Sequence, residues 1–298
     1  MKNAAMDVGS NSILLYIEDN GKSLYDNGEI TKLGSELALT GKIGEKSFDK
    51  SLAVINKYYN ICKDFGVHNI YAAGTMALRN ASNAGDFINK VKEETGIIIE
   101  VLSGEEEARL SYTGAGSTAG DKESVKMVID IGGGSTEFIC GKGDEIISVY
   151  SLNIGILKVT NEYFFEPYLK ENDYIRCENN LKKTLQSLNI PGFDILIGAG
   201  GSITNLASVK LGFKKFDAGK INGLILNKKD IKDLISLFTS LSLEERGKLN
   251  GLQKGRASTI TAGAAIALSA MQNLNSDSLI VSSKGLRHGL LIQKRGTN

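Results

Sequence analysis

The sequence predicts an α/β chain of two domains built on one plan. Three observations predict it. Strand-like apolar runs alternate with helical patterns along the chain. A strand, an acidic glycine-bearing turn and an apolar return strand occur twice, and the two copies align without gaps: Asp7 on Asp130, Val8 on Ile131, Gly9 on Gly132, Ser12 on Ser135. Such a repeat, far apart in the chain, implies two domains of similar topology. Finally, 298 residues exceed what a single hydrophobic core usually fills.

In order, Ala4–Val8 reads as a strand, Gly9–Ser12 as a turn and Ile13–Ile17 as the return strand. Asn20–Gly21 is a hairpin signal, and strand-like segments continue through Ile30 and Leu33. Ser47–Phe65 is a helix, because Phe48, Leu52, Ile55, Tyr59 and Cys62 recur along one face. Gly66 ends it. Asn69–Ala73 is the next strand. The segment Gly74–Asn80 leaves its carboxyl end, where open α/β sheets bind ligands. Arg79 is there either a phosphate ligand, through its planar donor fork, or a solvated surface residue. A helix over 83–95 leads to the strand Ile97–Leu102.

The following helix opens with Ser103-Gly104-Glu105-Glu106-Glu107, and spacing separates the three carboxylates. Ser103 and Glu106 fit a capping box. Glu105 and Arg109 are an i,i+4 pair. Glu107 shares its side with Leu110, Ser111 and Gly114, which makes it the carboxylate most suited to chemistry. Residues 119–124 form a polar connector. The domain boundary is expected there, giving domains 1–121 and 122–298, with the last helix free to pack back on the first.

The second domain opens with Val125–Cys140, whose centre reads DIGGGSTE from Asp130 to Glu137. Consecutive glycines let backbone N–H groups approach an anion with no Cβ in the way. Gly132, Gly133 and Gly134 would form that cradle, and Ser135 and Thr136 add hydroxyls. Asp130 can hold a hydrated metal ion, and Glu137 offers a carboxylate for proton transfer. Together they point to phosphoryl chemistry. Two such turns facing across a cleft would clamp a phosphate from both sides, which brings in Gly9, Ser10, Asn11 and Ser12. Ile146–Leu152 continues the sheet. Helices follow over 155–165 and 173–188, then a buried strand at Phe193–Ile197. Gly198 to Ser202 enter a helix running to Lys210. Strand, glycine turn and helix N-terminus make a generic phosphate site from Gly200, Gly201 and Ser202. Helices over 228–241, 243–250 and 257–273, a strand at Ser278–Val281 and a helix over 285–292 complete the chain. Pro167 and Pro191 are the two prolines.

Composition excludes several classes. Net charge is +1, with no polybasic block, so nucleic acid is not an expected partner. Cys62, Cys140 and Cys177 are odd in number and widely spaced, which fits reduced thiols in a cytoplasmic protein. His68 and His288 are the two histidines, too far apart in sequence to suggest a His-based metal site or a Ser-His-Asp triad. The N-terminus shows no secretory pattern. Residues 257–271 are too short and too polar to span a bilayer, so no membrane role is expected.

These motifs in this order resemble the exopolyphosphatase/guanosine pentaphosphate phosphatase (Ppx/GppA) family. The resemblance rests on DVGSNS (7–12), ALRNASN (77–83), SGEEEARL (103–110), DIGGGSTEF (130–138), SLNIG (151–155), GAGGSITNLA (198–207) and GLRHGLL (285–291). It implies an actin-like (ribonuclease H-like) α/β fold of two duplicated mixed-sheet domains around an interdomain cleft. It implies Mg²⁺-dependent hydrolysis of the terminal phosphoanhydride of inorganic polyphosphate, or of the 5′-phosphate of the guanosine pentaphosphate pppGpp. In the family a Glu of the SGEEEA-type helix acts on the attacking water, and Glu107 matches it. An essential Glu ends the glycine-rich loop, and Glu137 matches that. The Asp residues that open the loops, near the metal, match Asp7 and Asp130. Spacing and resemblance thus select the same Glu of the triplet.

Three positions depart from the family pattern. Ser258 follows Arg256-Ala257 where an acidic residue is common, Lys158 replaces an Arg, and His288 replaces a Glu. They leave the carboxylates and glycines in place and bear on substrate choice. The chain resembles the short form, without an added helical domain. The expected activity is therefore exopolyphosphatase. Its alternatives are a pppGpp phosphohydrolase, a kinase of the same superfold, or a weakly catalytic sensor that binds polyphosphate or guanosine tetraphosphate. A homodimer is compatible with all of them.

Overall fold

The structure, a computed structural model, describes residues 1–164, 171–214 and 217–296. It divides into two compact units. One is Met1–Gly114 together with the last helix, from Leu286; the other is Ala115–Gly285. The division falls inside a helix, a few residues before the polar connector that the sequence offered as the boundary.

The first unit runs β1 (Lys2–Val8), β2 (Ser12–Asp19), β3 (Lys22–Ile30), α1 (Leu37–Thr40), α2 (Glu45–Asp64), β4 (Asn69–Gly74), α3 (Met76–Asn80), α4 (Ala84–Thr95), β5 (Ile99–Val101) and α5 (Gly104–Gly116). Its sheet has the order β3-β2-β1-β4-β5. The β1–β2 and β2–β3 pairs are antiparallel, and β1–β4 and β4–β5 are parallel. Side chains alternate across a strand, so Ala4, Met6 and Val8 of β1 pack with Val54, Ile55 and Tyr58 of α2 and Phe87 and Val91 of α4. Ala5 points to the other face, where Leu286, Leu290 and Leu291 of the last helix meet Tyr16, Ala73 and Leu110. A central strand covered on both faces buries consecutive residues, which is why Ala4, Ala5 and Met6 of β1 are all apolar and lack clean alternation.

The second unit runs β6 (Val125–Ile131), β7 (Thr136–Lys142), β8 (Glu145–Leu152), α6 (Ile156–Tyr163), α7 (Glu171–Leu185), β9 (Ile195–Ala199), α8 (Gly200–Lys210), α9 (Ala218–Ile221), β10 (Ile225–Asn227), α10 (Lys228–Ser240), α11 (Leu243–Gly247), α12 (Ile260–Asn273) and β11 (Ser278–Val281). The chain then enters α13 (Leu286–Gly296) of the first unit. The sheet order is β10-β11-β9-β6-β7-β8. Every residue from Ile260 to Met271 is buried, Thr261 and Ser269 included, so α12 is covered all round and central to the core. Among the described residues, no helix is long and apolar enough to cross a membrane.

The duplication is visible in the pairing. β1–β2–β3 and β6–β7–β8 are both antiparallel meanders, and β1 and β6 each take a parallel partner, β4 and β9. Even the irregularities match. The register shifts between Ile17 and Glu18 in one copy and between Cys140 and Gly141 in the other, equally far beyond Asp7 and Asp130. The fold class is α/β with two mixed sheets, as the sequence predicted.

Short elements differ from the prediction. Residues 76–80 form a helical turn, α3, too brief to leave a periodic signal. The turns α1 and α9 and the strand β10 went unread for the same reason. The helix predicted from Ala257 starts at Ile260, because Arg256 O already accepts from Thr259 N and Ile260 N in a tight turn. The predicted helix end at Phe165, and Pro167, lie outside the described residues.

Candidate active site

Both acidic turns sit at carboxyl ends of parallel strands. In the first unit Val8 lies beside Gly74 and Gly74 beside Val101. In the second, Asp130 lies beside Ala199 and Gly198 beside Val281. The turns share one closing bond: Gly9 N–H donates to Ser12 O at 3.1 Å, and Gly132 N–H to Ser135 O at 3.0 Å.

The outward side of each turn follows from where its carbonyls go. The N–H groups of Gly155, Ile156 and Leu157 donate to the carbonyls of Gly134, Gly132 and Gly133 at 3.0, 3.1 and 2.9 Å. This satisfies the first turn of α6, whose amides would otherwise lack partners. In a trans peptide the C=O and the following N–H point opposite ways. The amides of Gly133, Gly134 and Ser135 therefore point away from α6, as an anion cradle requires. The first unit repeats this: Ser10 O accepts from Gly34 N, and Asn11 O from Thr31 N and Lys32 N. The amides of Asn11 and Ser12 face away from that segment. Asn11 Oδ1 is buried with no hydrogen-bond partner.

The hydroxyls divide. Thr136 donates to Ile154 O at 2.9 Å, a structural bond. Ser10 turns its hydroxyl to the Met76 sulfur at 3.9 Å. Ser202 is packed against Gly263 of α12. Ser135 is buried at the end of its turn.

The three glutamates at the start of α5 separate as their spacing predicts. Ser103 N donates to Glu106 Oε2 at 2.8 Å and Glu106 N to Ser103 Oγ at 3.2 Å, which is the capping box. These bonds from Ser103 hold the Glu106 carboxyl below its ordinary value. Glu105 pairs with Arg109 at 3.8 Å, with both side chains largely exposed. Glu107 is 13% exposed and pairs with Arg79, whose Nη1 lies 3.0 Å from Glu107 Oε2 and also donates to Leu102 O at 2.9 Å. Arg79 is thus a partner of Glu107 rather than a solvated residue.

In the second unit Glu137 is 4% exposed. It sits opposite Asp130 across β6–β7 and accepts from Ser151 Oγ at 2.9 Å. Gly200 has φ +90°, and a Cβ there would lie 2.6 Å from Ile131 O and 3.0 Å from Asp130 Oδ1. Only glycine fits, and the Gly200–Gly201 turn is thereby pressed against Asp130 and Ile131 at the end of β6.

Sequence reasoning missed Arg256 as a site residue. It is 6% exposed, and its guanidinium lies over Gly201 so closely that a Cβ there would overlap Nη2. Burial pulls it down to about 10. Among the described residues its side chain makes one hydrogen bond, from Nε to Gln253 Oε1 at 3.3 Å, and forms no ion pair. A buried cation without a carboxylate, at the first turn of an eleven-residue helix, is an anion site in waiting. The available signal was Arg-Ala before the buried helix α12, which spacing alone does not connect to Gly201. Of the three departures, Lys158 is exposed on α6 and Ser258 is half-buried. His288 is buried 3.4 Å from Asp26 Oδ2 and packs on the Tyr16 ring at 4.2 Å.

Asp7 and Asp130 supply one hard oxygen donor to each turn. Among the described residues no group of three His, Cys, Asp or Glu side chains forms a metal cage. Mg²⁺ needs none, since it binds through one or two carboxylates, waters and substrate phosphates. An aspartate at either turn is a donor of the kind that ion takes.

Comparison with known proteins shows the family. The model of the Ppx/GppA phosphatase family matches residues 17–297. A bifunctional 3-dehydroquinate synthase/phosphatase of Fusobacterium nucleatum is 31% identical over 97% of this chain. The chain spans about half that relative's length, 46%. The solved Ppx/GppA family member of Aquifex aeolicus is 34% identical, with a TM-score of 0.83 over 100% of this chain and 98% of that one. A solved exopolyphosphatase of Cytophaga hutchinsonii is 25% identical, with a TM-score of 0.89 over 100% and 98%. The family match spans the glycine turn of the second unit, the Arg79–Glu107 pair and the Arg256 turn alike, and the chain belongs to the Ppx/GppA phosphatase family.

Proposed function

We propose that the chain is an exopolyphosphatase that releases terminal phosphate from inorganic polyphosphate with Mg²⁺. The observation that carries this reading is the orientation of the second glycine turn. Its carbonyls are engaged by α6 and its amides face away, and the Gly200–Gly201 turn that packs on the end of β6 carries the buried, uncompensated charge of Arg256. That combination binds a phosphoryl group through fixed dipoles and one buried cation, needing no reorganisation when charge develops. A polyphosphate chain offers the same group at every position and so suits two turns of one design. The likeness to the C. hutchinsonii exopolyphosphatase supports this substrate class.

In this reading the amides of Gly133, Gly134 and Ser135, with Arg256 and the first turn of α8, hold terminal phosphates. Glu107, oriented by Arg79, and Glu137, oriented by Ser151, position the attacking water and take its proton. Asp7 and Asp130 would hold Mg²⁺, which when bound neutralises phosphate oxygens during in-line displacement.

Phosphate release from long polyphosphate, tripolyphosphate and pppGpp, measured side by side with and without Mg²⁺, tests the proposal. Fastest release from polyphosphate that depends on Mg²⁺ is the expected result. Preference for pppGpp would reassign the substrate. Tight binding with no release from any of the three would make the chain a sensor.

A further inference from the structure

We infer that Asn205 and Gln253 are positioning residues, a neutral amide clamp that aims Arg256 at the Gly201 turn while leaving its positive charge free for an anion. The inference rests on the reading of that turn as a phosphate site.

The clamp is closed on every side. Asn205, fully buried on α8, donates from Nδ2 to Gly201 O at 2.8 Å and to Gln253 Oε1 at 2.8 Å. Its Oδ1 accepts from Gln253 N at 2.8 Å. Gln253 Oε1 then receives Arg256 Nε at 3.3 Å. One amide thus ties the glycine turn, the 253–256 loop and the guanidinium together. The loop is held from behind as well. Arg256 N donates to Gln253 O at 3.1 Å, and the buried Arg246 donates from Nη1 to Ala257 O at 3.2 Å.

The choice of an amide is the informative part. A carboxylate at 253 would accept from both Asn205 Nδ2 and Arg256 Nε, in charge-assisted bonds stronger than the present ones. It would also cancel the guanidinium charge and relieve the cost of burying it. A clamp that served folding alone would gain from that carboxylate. A clamp that prepares a cation for a phosphate would be ruined by it. The chain has Gln253, and Arg256 lies buried without an ion-pair partner among the described residues.

The discriminating variant is Gln253→Glu in the full chain, with inorganic phosphate as the probe, read as its inhibition constant and by calorimetry. Folding stability and the KM and kcat for polyphosphate are measured alongside. Gln253→Glu should keep or raise the melting temperature and weaken phosphate binding by about tenfold to a hundredfold, the factor carried by one charge-assisted hydrogen bond. KM should rise more than kcat falls. Asn205→Ala, which frees the same loop without adding charge, should weaken phosphate binding in the same direction. Arg256→Gln is the reference. If it binds phosphate like the wild type, the phosphate reading of the turn fails. If it loses phosphate while Gln253→Glu and Asn205→Ala keep wild-type affinity, the clamp is overturned and the site stands. Should Gln253→Glu not fold, wild-type affinity in folded Asn205→Ala overturns the clamp.

Discussion

Water attacks a phosphoanhydride slowly, and a positioned carboxylate contributes about 10²–10⁴-fold. If Glu107 and Glu137 serve that water, Glu107→Gln and Glu137→Gln should each lower kcat at least about a hundredfold, with polyphosphate affinity nearly kept. Glu105→Gln and Glu106→Gln remove an exposed pair and a capping contact, and should leave the rate close to wild type. The contrast within one run of three glutamates separates chemistry from general loss of charge, and rate measurements on the four variants decide it. Dead Glu106→Gln beside active Glu107→Gln would reverse the assignment. Arg79→Ala should act through Glu107, because its Nη1 bonds that carboxylate and the Leu102 carbonyl. A misoriented base costs up to about a hundredfold in turnover. In the Glu107→Gln background the same change should add little, since residues acting as one unit are not additive. A pure rise in KM for Arg79→Ala would instead make it a ground-state phosphate ligand. The triplet could be sorted from spacing alone because helix geometry fixes which neighbours each residue meets. Arg256 could not, because its neighbour Gly201 is far away in sequence.

At the scale of elements, α13 is the telling case. The sequence offered a helix over 285–292 free to pack back on the first domain, but not the side chains it meets there, because periodicity reports a buried face and not the partner. The helix is locked to β3 by Asp26, which lies 2.8 Å from Arg287 Nη2 and 3.4 Å from His288 Nε2. Burial pushes the Asp26 carboxyl up, and Arg287 with His288 outweigh it, so the net shift is downward. A depressed carboxyl contributes stability that is present above its unfolded pKa, about 3.9, and is lost as pH falls through the folded value. The helix should therefore loosen in acid. Asp26→Asn should loosen it already at neutral pH, by about 1.5–3 kcal/mol, the range for hydrogen bonds to a charged group, because it removes the carboxylate that Arg287 and His288 both face. Hydrogen exchange at the α13 amides reads this directly. Wild-type protection that falls toward the variant's level as pH drops below about 4 is the expected course. Equal protection in both proteins at pH 7 would show that Leu286, Leu290 and Leu291 hold the helix unaided. Glu18 works the other way. Burial raises its carboxyl and Arg295 only partly offsets it, so its ionisation at neutral pH weakens the unit.

At the scale of the molecule, the duplication was readable because each copy must build the same turn from the same few residue types. Asp, Gly and Ser recur at Asp7, Gly9 and Ser12 and at Asp130, Gly132 and Ser135, and the closing bonds of both turns agree to 0.1 Å, 3.1 against 3.0. The rest of each unit diverged in sequence while keeping its strand order, since hydrophobic contacts accept many side chains of similar volume. The last prediction follows from this repetition. Each turn opens on an aspartate, and in the proposed reaction both aspartates bind Mg²⁺. If so, Asp7→Asn and Asp130→Asn should each raise the Mg²⁺ concentration needed for half-maximal polyphosphate hydrolysis, by at least about tenfold. A double variant scarcely worse than either single one would mean that the two substitutions remove the same function. Mg²⁺ titrations of phosphate release by the three variants give the answer. Losses that multiply in the double variant would mean that the two aspartates act separately. Each turn would then hold its own part of the substrate, and the repeat would record shared ancestry of the two units rather than a shared ion.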